Sequence, residues 1–194
     1  TIAIQSCTRA QLEKDDMLLI LGAGALGSTI LKIARQLCDH IIVADIVDDK
    51  LEEAKKNGAK YTVNVLKEDL EARVKEYTEG HGSTVSIDAS GTKDSLLTLL
   101  KVTGNAGRVM TMGFSTAPVE ANQFLITSKE LDVRGSRLQN KMFGKAIEMI
   151  NEGKLDLSGS ISHTFPLTKA QEAFDFVDSR DPSIRKIVFT FDNL

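Results

Sequence analysis

Hydrophobic positions follow two alternating patterns along this chain. Short continuous apolar runs occupy residues 17–21, 41–44, 61–63, 84–87, 108–112 and 131–134. Between them apolar residues recur at helical intervals, as with Leu26, Ile30, Ile33, Ala34 and Leu37, or with Leu70, Val74 and Tyr77. The first two runs lack polar alternation, the signature of parallel strands covered by helices on both faces. Asn57 and Gly58 read as a helix stop ahead of the third strand. Six strands joined by helical crossovers predict an α/β fold, a doubly wound parallel six-stranded sheet of order 3-2-1-4-5-6.

After Gly135 the rhythm changes. A helix with Met142, Ala146, Met149 and Ile150 as core positions ends at Gly153. The segment Ile161-Ser-His-Thr-Phe165 precedes Pro166, and Thr168 and Gln171 have the spacing of a capping box. That box opens a predicted helix with Ala170, Ala173, Phe174 and Val177 on one side. Ile187, Phe189 and Phe191 then alternate with Lys186, Val188 and Thr190 as a half-buried strand. The tail lies outside the β–α repeat, so the expected division is a domain over 1–154 and an appendage over 155–194 that returns to another body.

Composition narrows the class. The 194 residues carry a net charge of −3, with 42% apolar and 26% charged side chains, which is ordinary for a globular protein. No basic run marks a nucleic-acid footprint. Cys7 and Cys38 are too few for a disulfide framework or a four-cysteine zinc site. The longest apolar stretch is five residues, against the roughly 20 that a membrane helix needs. With no secretory signal in view, a soluble, cytoplasmic protein is expected, without nucleic-acid or membrane partners. The chain begins at Thr1 in helix-like sequence, which suggests a fragment.

The most informative segment is Gly22-Ala-Gly24-Ala25-Leu26-Gly27, placed after an apolar strand and opening an apolar-faced helix. Gly22 permits a tight turn, Gly24 lets the backbone approach a pyrophosphate, and Gly27 allows close packing of helix on strand. The helix start then offers unpaired N–H groups to phosphates. Asp45 ends the second strand 18 residues past Gly27, where a carboxylate accepts hydrogen bonds from an adenosine ribose and repels a 2′-phosphate. NAD is therefore expected over NADP. The blander reading is that Asp45 only caps the next turn. Ile46 and Lys50 are grouped with it as cofactor-binding candidates.

In this strand order the ligand crevice opens between the first and fourth strands, so Ser90 and Gly91 are candidate cofactor neighbours. Met112 and Gly113 follow along the same edge, although glycine after a strand often only makes a turn. His40, His81 and His163 have no partners at zinc-ligand spacing and read as structural. No HExxH, CxxC, GxSxG or P-loop ending is present, so no catalytic and no metal-binding residue is assigned.

In combination, several segments resemble the medium-chain, zinc-dependent alcohol and polyol dehydrogenases, in the branch of sorbitol, threonine and sugar-acid dehydrogenases. They are the glycine loop, Asp45, Lys55-Lys-Asn-Gly-Ala-Lys60, Ser86-Ile-Asp-Ala-Ser-Gly91, Gly107-Arg-Val-Met-Thr-Met-Gly113 and Leu131-Asp-Val-Arg-Gly-Ser136. Ile161-Ser-His-Thr-Phe-Pro-Leu167, Gln171-Glu-Ala-Phe174 and Ile184-Arg-Lys-Ile-Val188 continue the likeness through the tail. The resemblance implies a Rossmann domain that binds NAD, the end of a GroES-like catalytic domain in the tail, and zinc ligands in an N-terminal part that this sequence lacks.

By the same resemblance, Arg185 reaches the pyrophosphate, Lys50 the ribose, and the backbones around Met112 and Gly135 the nicotinamide amide. The stretch 114–131 includes an edge through which subunits join, giving a homodimer or homotetramer. The implied substrate is a polyol, alcohol or sugar acid, and the chain alone is expected to bind NAD(H) without oxidising alcohols or retaining zinc. Three alternatives stay open: a stand-alone NAD-sensing module, a methyltransferase, and a zinc-free reductase of the same superfamily.

Overall fold

A computed structural model describes residues 1–179, 181 and 183–191. The chain divides into two compact units, Thr1–Leu155 and Asp156–Leu194. In the first, α1 (Ile2–Arg9) precedes β1 (Met17–Leu21), α2 (Ala25–Ala34), β2 (His40–Asp45), α3 (Asp48–Lys56), β3 (Tyr61–Asn64), α4 (Leu70–Tyr77) and β4 (Ser83–Asp88). Then follow α5 (Ser95–Val102), β5 (Thr103–Thr111), α6 (Gln123–Ser128), β6 (Asp132–Gly135) and α7 (Phe143–Asn151). The strands form one sheet of order β3-β2-β1-β4-β5-β6, parallel throughout, as the hydrophobic pattern predicts.

Side chains on a strand point alternately to opposite faces, so a run without polar alternation needs apolar cover on both. Leu18 and Ile20 of β1 join Ile41 and Val43 of β2 in a core closed by α1, α2 and α7, whereas Leu19 and Leu21 join Ile42, Ala44, Leu99 and Leu100 on the opposite face. Complete burial of each such leucine, isoleucine or valine side chain contributes about 1.5–3 kcal/mol. Asn57 ends α3 and Gly58 follows at φ +103, the left-handed stop expected there.

Polar side chains fix the centre and the near edge of the sheet. Ser83, Ser86 and Thr103 are buried in a hydroxyl chain, with oxygens 2.7 Å apart at each step. Thr103 donates to the Leu99 carbonyl, so Ser86 must donate to Thr103 and Ser83 to Ser86. Also at the amino ends of the strands, Arg108 donates to the Ala10 carbonyl and pairs with buried Asp16 at 2.5 Å. This places a cation at the C-terminus of α1.

Several sequence expectations differ from the structure. β5 starts at Thr103 rather than 108, because a register shift between Ser83 and Val85 lets it pair earlier with β4. Ile150 on α7 is not a core residue: it is 44% exposed, while Ala146 and Met149 face inward. Leu37 likewise falls beyond the end of α2 and is exposed.

In the second unit, β7 (His163–Pro166) pairs in parallel with β8 (Ile187–Thr190), and α8 (Ala170–Asp178) lies between them in sequence. The capping box is not made. Thr168 sits inside a short 3-10 turn, Leu167–Lys169, that runs into α8, and Gln171 donates to Asp175 instead. The apolar side of α8 is not covered either, since Ala173 is buried but Phe174 and Val177 are exposed. All four residues of β8 are half-buried, without the expected alternation. His163 stacks edge-on against Phe176 at 4.8 Å, a packing role. Among the described residues no helix is long and apolar enough to cross a membrane.

Candidate functional site

The strand order reverses at β1, and there the carboxyl ends of β1, β2 and β4 open onto a cleft of about 670 Å³. A cleft at such a switch point is where open α/β sheets bind ligands. Gly22, Gly24, Asp45, Ile46, Lys50 and Ser90 line it, together with Val65, Leu70 and Thr98. Ala25, Leu26, Gly27, Gly91, Met112, Gly113 and Gly135 do not.

The glycine loop is shaped by contacts that only glycine allows. Gly22 has φ +103, and a Cβ there would lie 2.8 Å from the Ser90 nitrogen. A Cβ on Gly27 would lie 1.8 Å from the Gly22 carbonyl oxygen, so helix and turn touch backbone to backbone. Gly24 has the opposite surroundings, with nothing within 4 Å of a Cβ position. It is the N-cap of α2, and no side chain caps that helix. The first-turn N–H groups, those of Ala25, Leu26 and Gly27 among them, therefore have no capping side chain. Together with the positive end of the helix dipole they make an anion site.

Asp45 caps the next turn and also lines the cleft. Its Oδ1 accepts hydrogen bonds from the N–H groups of Ile46 and Val47 at 2.8 and 3.0 Å, which caps the turn into α3. Its Oδ2 accepts from the Ala23 N–H at 2.6 Å, which ties the glycine loop to β2. The carboxylate still lines the cleft. Behind it, buried Asn64 donates to the Ile46 carbonyl at 3.3 Å and to Asp48 at 2.7 Å. Hydrogen bonds from Lys67 and then Asn64 hold the Asp48 carboxyl below its ordinary pKa.

The opposite wall is organised by Asp88, which sequence reasoning did not select. This carboxylate is 3% exposed. Its Oδ1 accepts from the Ser90 N–H (3.0 Å), the Ser90 hydroxyl (2.9 Å) and the Gly91 N–H (3.0 Å), and its Oδ2 accepts from Ser95 at 2.7 Å. The main-chain donors of Ser90 and Gly91 are thus spent inside the turn. The available signal was an acid closing an otherwise apolar strand, directly before Ser-Gly.

The remaining candidates lie elsewhere. The Gly135 carbonyl accepts from Arg9 at 2.7 Å, and Gly113 lies beside Asp88, whose Oδ2 would be 3.8 Å from a Cβ there. Met112 packs against the core. Arg185 belongs to the second unit, where its N–H donates to Ser162 at 2.9 Å. A second groove, of about 470 Å³, is lined by residues at the amino ends of β4 and β5. The carbonyl ends of α4 and α5 face that side, and Lys129 is committed to the carbonyls of Leu100, Lys101 and Thr103. It therefore lacks the helix-start chemistry of the cleft.

Metal chemistry has no counterpart among the described residues, which contain no group of three or more His, Cys, Asp and Glu placed to hold an ion. Cys7 and Cys38 are buried, and burial pushes each thiol up to about 12. They fit apolar packing, not zinc ligation.

Comparison with known proteins shows the family and the fold. The zinc-binding dehydrogenase family profile matches residues 25–152. The erythritol/L-threitol dehydrogenase of Mycolicibacterium smegmatis is 31% identical over 94% of this chain and 51% of its own length. The D-arabitol-phosphate dehydrogenase of Enterococcus avium is 33% identical over 87% of this chain and 49% of its own. Among solved structures, the Escherichia coli CFT073 alcohol dehydrogenase RspB, in complex with NADH, superposes with a TM-score of 0.91 at 31% identity, covering 98% of this chain and 56% of that one. The chain spans about half the length of the relatives it matches.

Proposed function

Because this chain belongs to the zinc-binding dehydrogenase family, we propose that its six-stranded unit is the NAD(H)-binding part of an alcohol or polyol dehydrogenase. The observation that carries this is the uncapped start of α2, opening at Gly24 into a cleft that also holds the Asp45 carboxylate. The first turn of α2 binds the pyrophosphate and Asp45 takes the adenosine ribose, with Ile46 and Lys50 beside it. When bound, the nicotinamide supplies the hydride acceptor. This unit contributes binding and orientation, and no group of His, Cys, Asp and Glu among the described residues fits zinc.

The second unit supports a division of labour. Among its described residues Ala173 alone is buried, and Phe174 is 58% exposed. A two-stranded sheet with so little cover is marginal by itself. This is the behaviour of a layer completed by another domain. The names of the relatives favour a polyol substrate. A homodimer or homotetramer in the cytoplasm belongs to the same reading.

Titrating the purified chain with NADH and NADPH, while measuring zinc content and turnover of a polyol panel, tests the proposal. The expected result is NADH binding in preference to NADPH, with neither zinc nor turnover. Stoichiometric zinc with turnover would overturn the reading of this chain as a cofactor-binding part. Binding of S-adenosylmethionine without NADH would replace the dehydrogenase reading by a methyltransferase.

A further inference from the structure

We infer that Asp88 is a positioning residue for nucleotide binding: without touching the ligand, its buried carboxylate holds the turn at Ser90 and Gly91 against Gly22 and so sets the wall of the cleft opposite Asp45. The inference rests on the cleft being the NAD(H) site.

The argument begins with burial. A carboxylate 3% exposed at the end of a central strand is stable only when its oxygens are saturated with donors. Here three of the four donors come from the two residues of one turn, and the fourth is Ser95 in the first turn of α5. Gly91 stands at φ +63 with open space around it, so neighbouring packing does not enforce that conformation. The carboxylate does. The turn in turn bears on the glycine loop, because the Ala89 N–H donates to the Leu21 carbonyl at 2.8 Å and the Ser90 nitrogen lies 2.8 Å from where a Gly22 Cβ would be. Removing the carboxylate frees two N–H groups beside the phosphate loop and lets the turn relax toward the cleft.

Asparagine separates position from charge. Its oxygen can keep the Ser90 and Gly91 donors, and its amide can donate to Ser95 Oγ while that hydroxyl donates to the Thr92 carbonyl, 2.7 Å away. Ser86→Ala supplies a control for lost stability, since Ser86 is buried in the same strand and outside the cleft.

The test is an NADH titration of the wild-type chain, Asp88→Ala, Asp88→Asn and Ser86→Ala, each with a thermal melt. The expected result is a Kd raised about tenfold or more in Asp88→Ala, the size of one lost set of buried hydrogen bonds. Asp88→Asn should stay within about threefold of wild type, and Ser86→Ala should melt earlier with Kd unchanged. A folded Asp88→Ala that binds like wild type overturns the inference. So does a loss in both Asp88 variants that Ser86→Ala reproduces in proportion to its melting temperature. Should Asp88→Ala not fold, amide exchange in the wild-type chain decides: Ser90 and Gly91 protons exchanging as fast as an open loop would refute the bonds to Asp88. A wild-type chain that fails to bind NADH defeats the functional reading itself, and is distinguishable from either result.

Discussion

The Ala23 N–H points into the Asp45 carboxylate, 2.6 Å from Oδ2. This bond spans 22 residues and joins the glycine loop of one strand to the acid at the end of the next. The two features most often read separately from a sequence are one mechanical unit. Asp45→Ala therefore removes a ribose acceptor and releases the phosphate loop at once. NADH affinity should fall about tenfold or more, and the preference over NADPH should shrink with it. Fluorescence titration with both dinucleotides measures this, and an unchanged preference would remove Asp45 from the ribose site.

Gly27→Ala places a methyl group 1.8 Å from the Gly22 carbonyl oxygen. Neither backbone has a flexible end that can swing away, so α2 must shift from the sheet, at a cost of about 1–3 kcal/mol. Chemical denaturation should show that loss, and NADH binding should fall more steeply than stability because the displaced helix start is the anion site.

Ser86→Ala interrupts the buried hydroxyl chain, leaving Ser83 only the long contact to the Val102 carbonyl and Thr103 without a donor. The expected loss is about 1–3 kcal/mol, read as a lower urea midpoint at unchanged slope. A neutral result would mean that Ser83 finds the Val102 carbonyl, 3.4 Å away, without penalty.

Cys7 and Cys38 should resist alkylation in the folded chain and react once it is unfolded, because both thiols are buried and raised to about 12. The folded values lie above the unfolded value of about 8.5. Their contribution to stability is therefore fully present below that pH and is lost as pH rises toward the folded values. Denaturation midpoints measured from pH 7 to 10 should fall on the alkaline side, and less so in a Cys7→Ala, Cys38→Ala double variant.

The sheet and its order were legible in the sequence because a strand covered on both faces cannot hide its apolar run, and parallel strands require long crossovers. The glycine spacing and Asp45 were legible because each answers a local demand of turn, approach or charge. Leu19 and Leu18 face different cores, yet both follow from the same unbroken run.

What the tertiary structure decided was which donors and acceptors find each other across the fold. Ser90 lines the cleft and Gly91 does not, and only the position of Asp88 shows that the N–H groups of both are already spent. Asn64 ends a strand with no distinguishing pattern, and its link to Ile46 and Asp48 exists because β2 and β3 are neighbours in the ladder. Thr168 and Gln171 have the right spacing for a cap, yet a 3-10 turn takes its place. Hydrophobic period and glycine spacing are properties of consecutive residues and survive in the sequence. A hydrogen bond between distant residues is fixed only when packing brings both groups out of water and leaves them each other as partners.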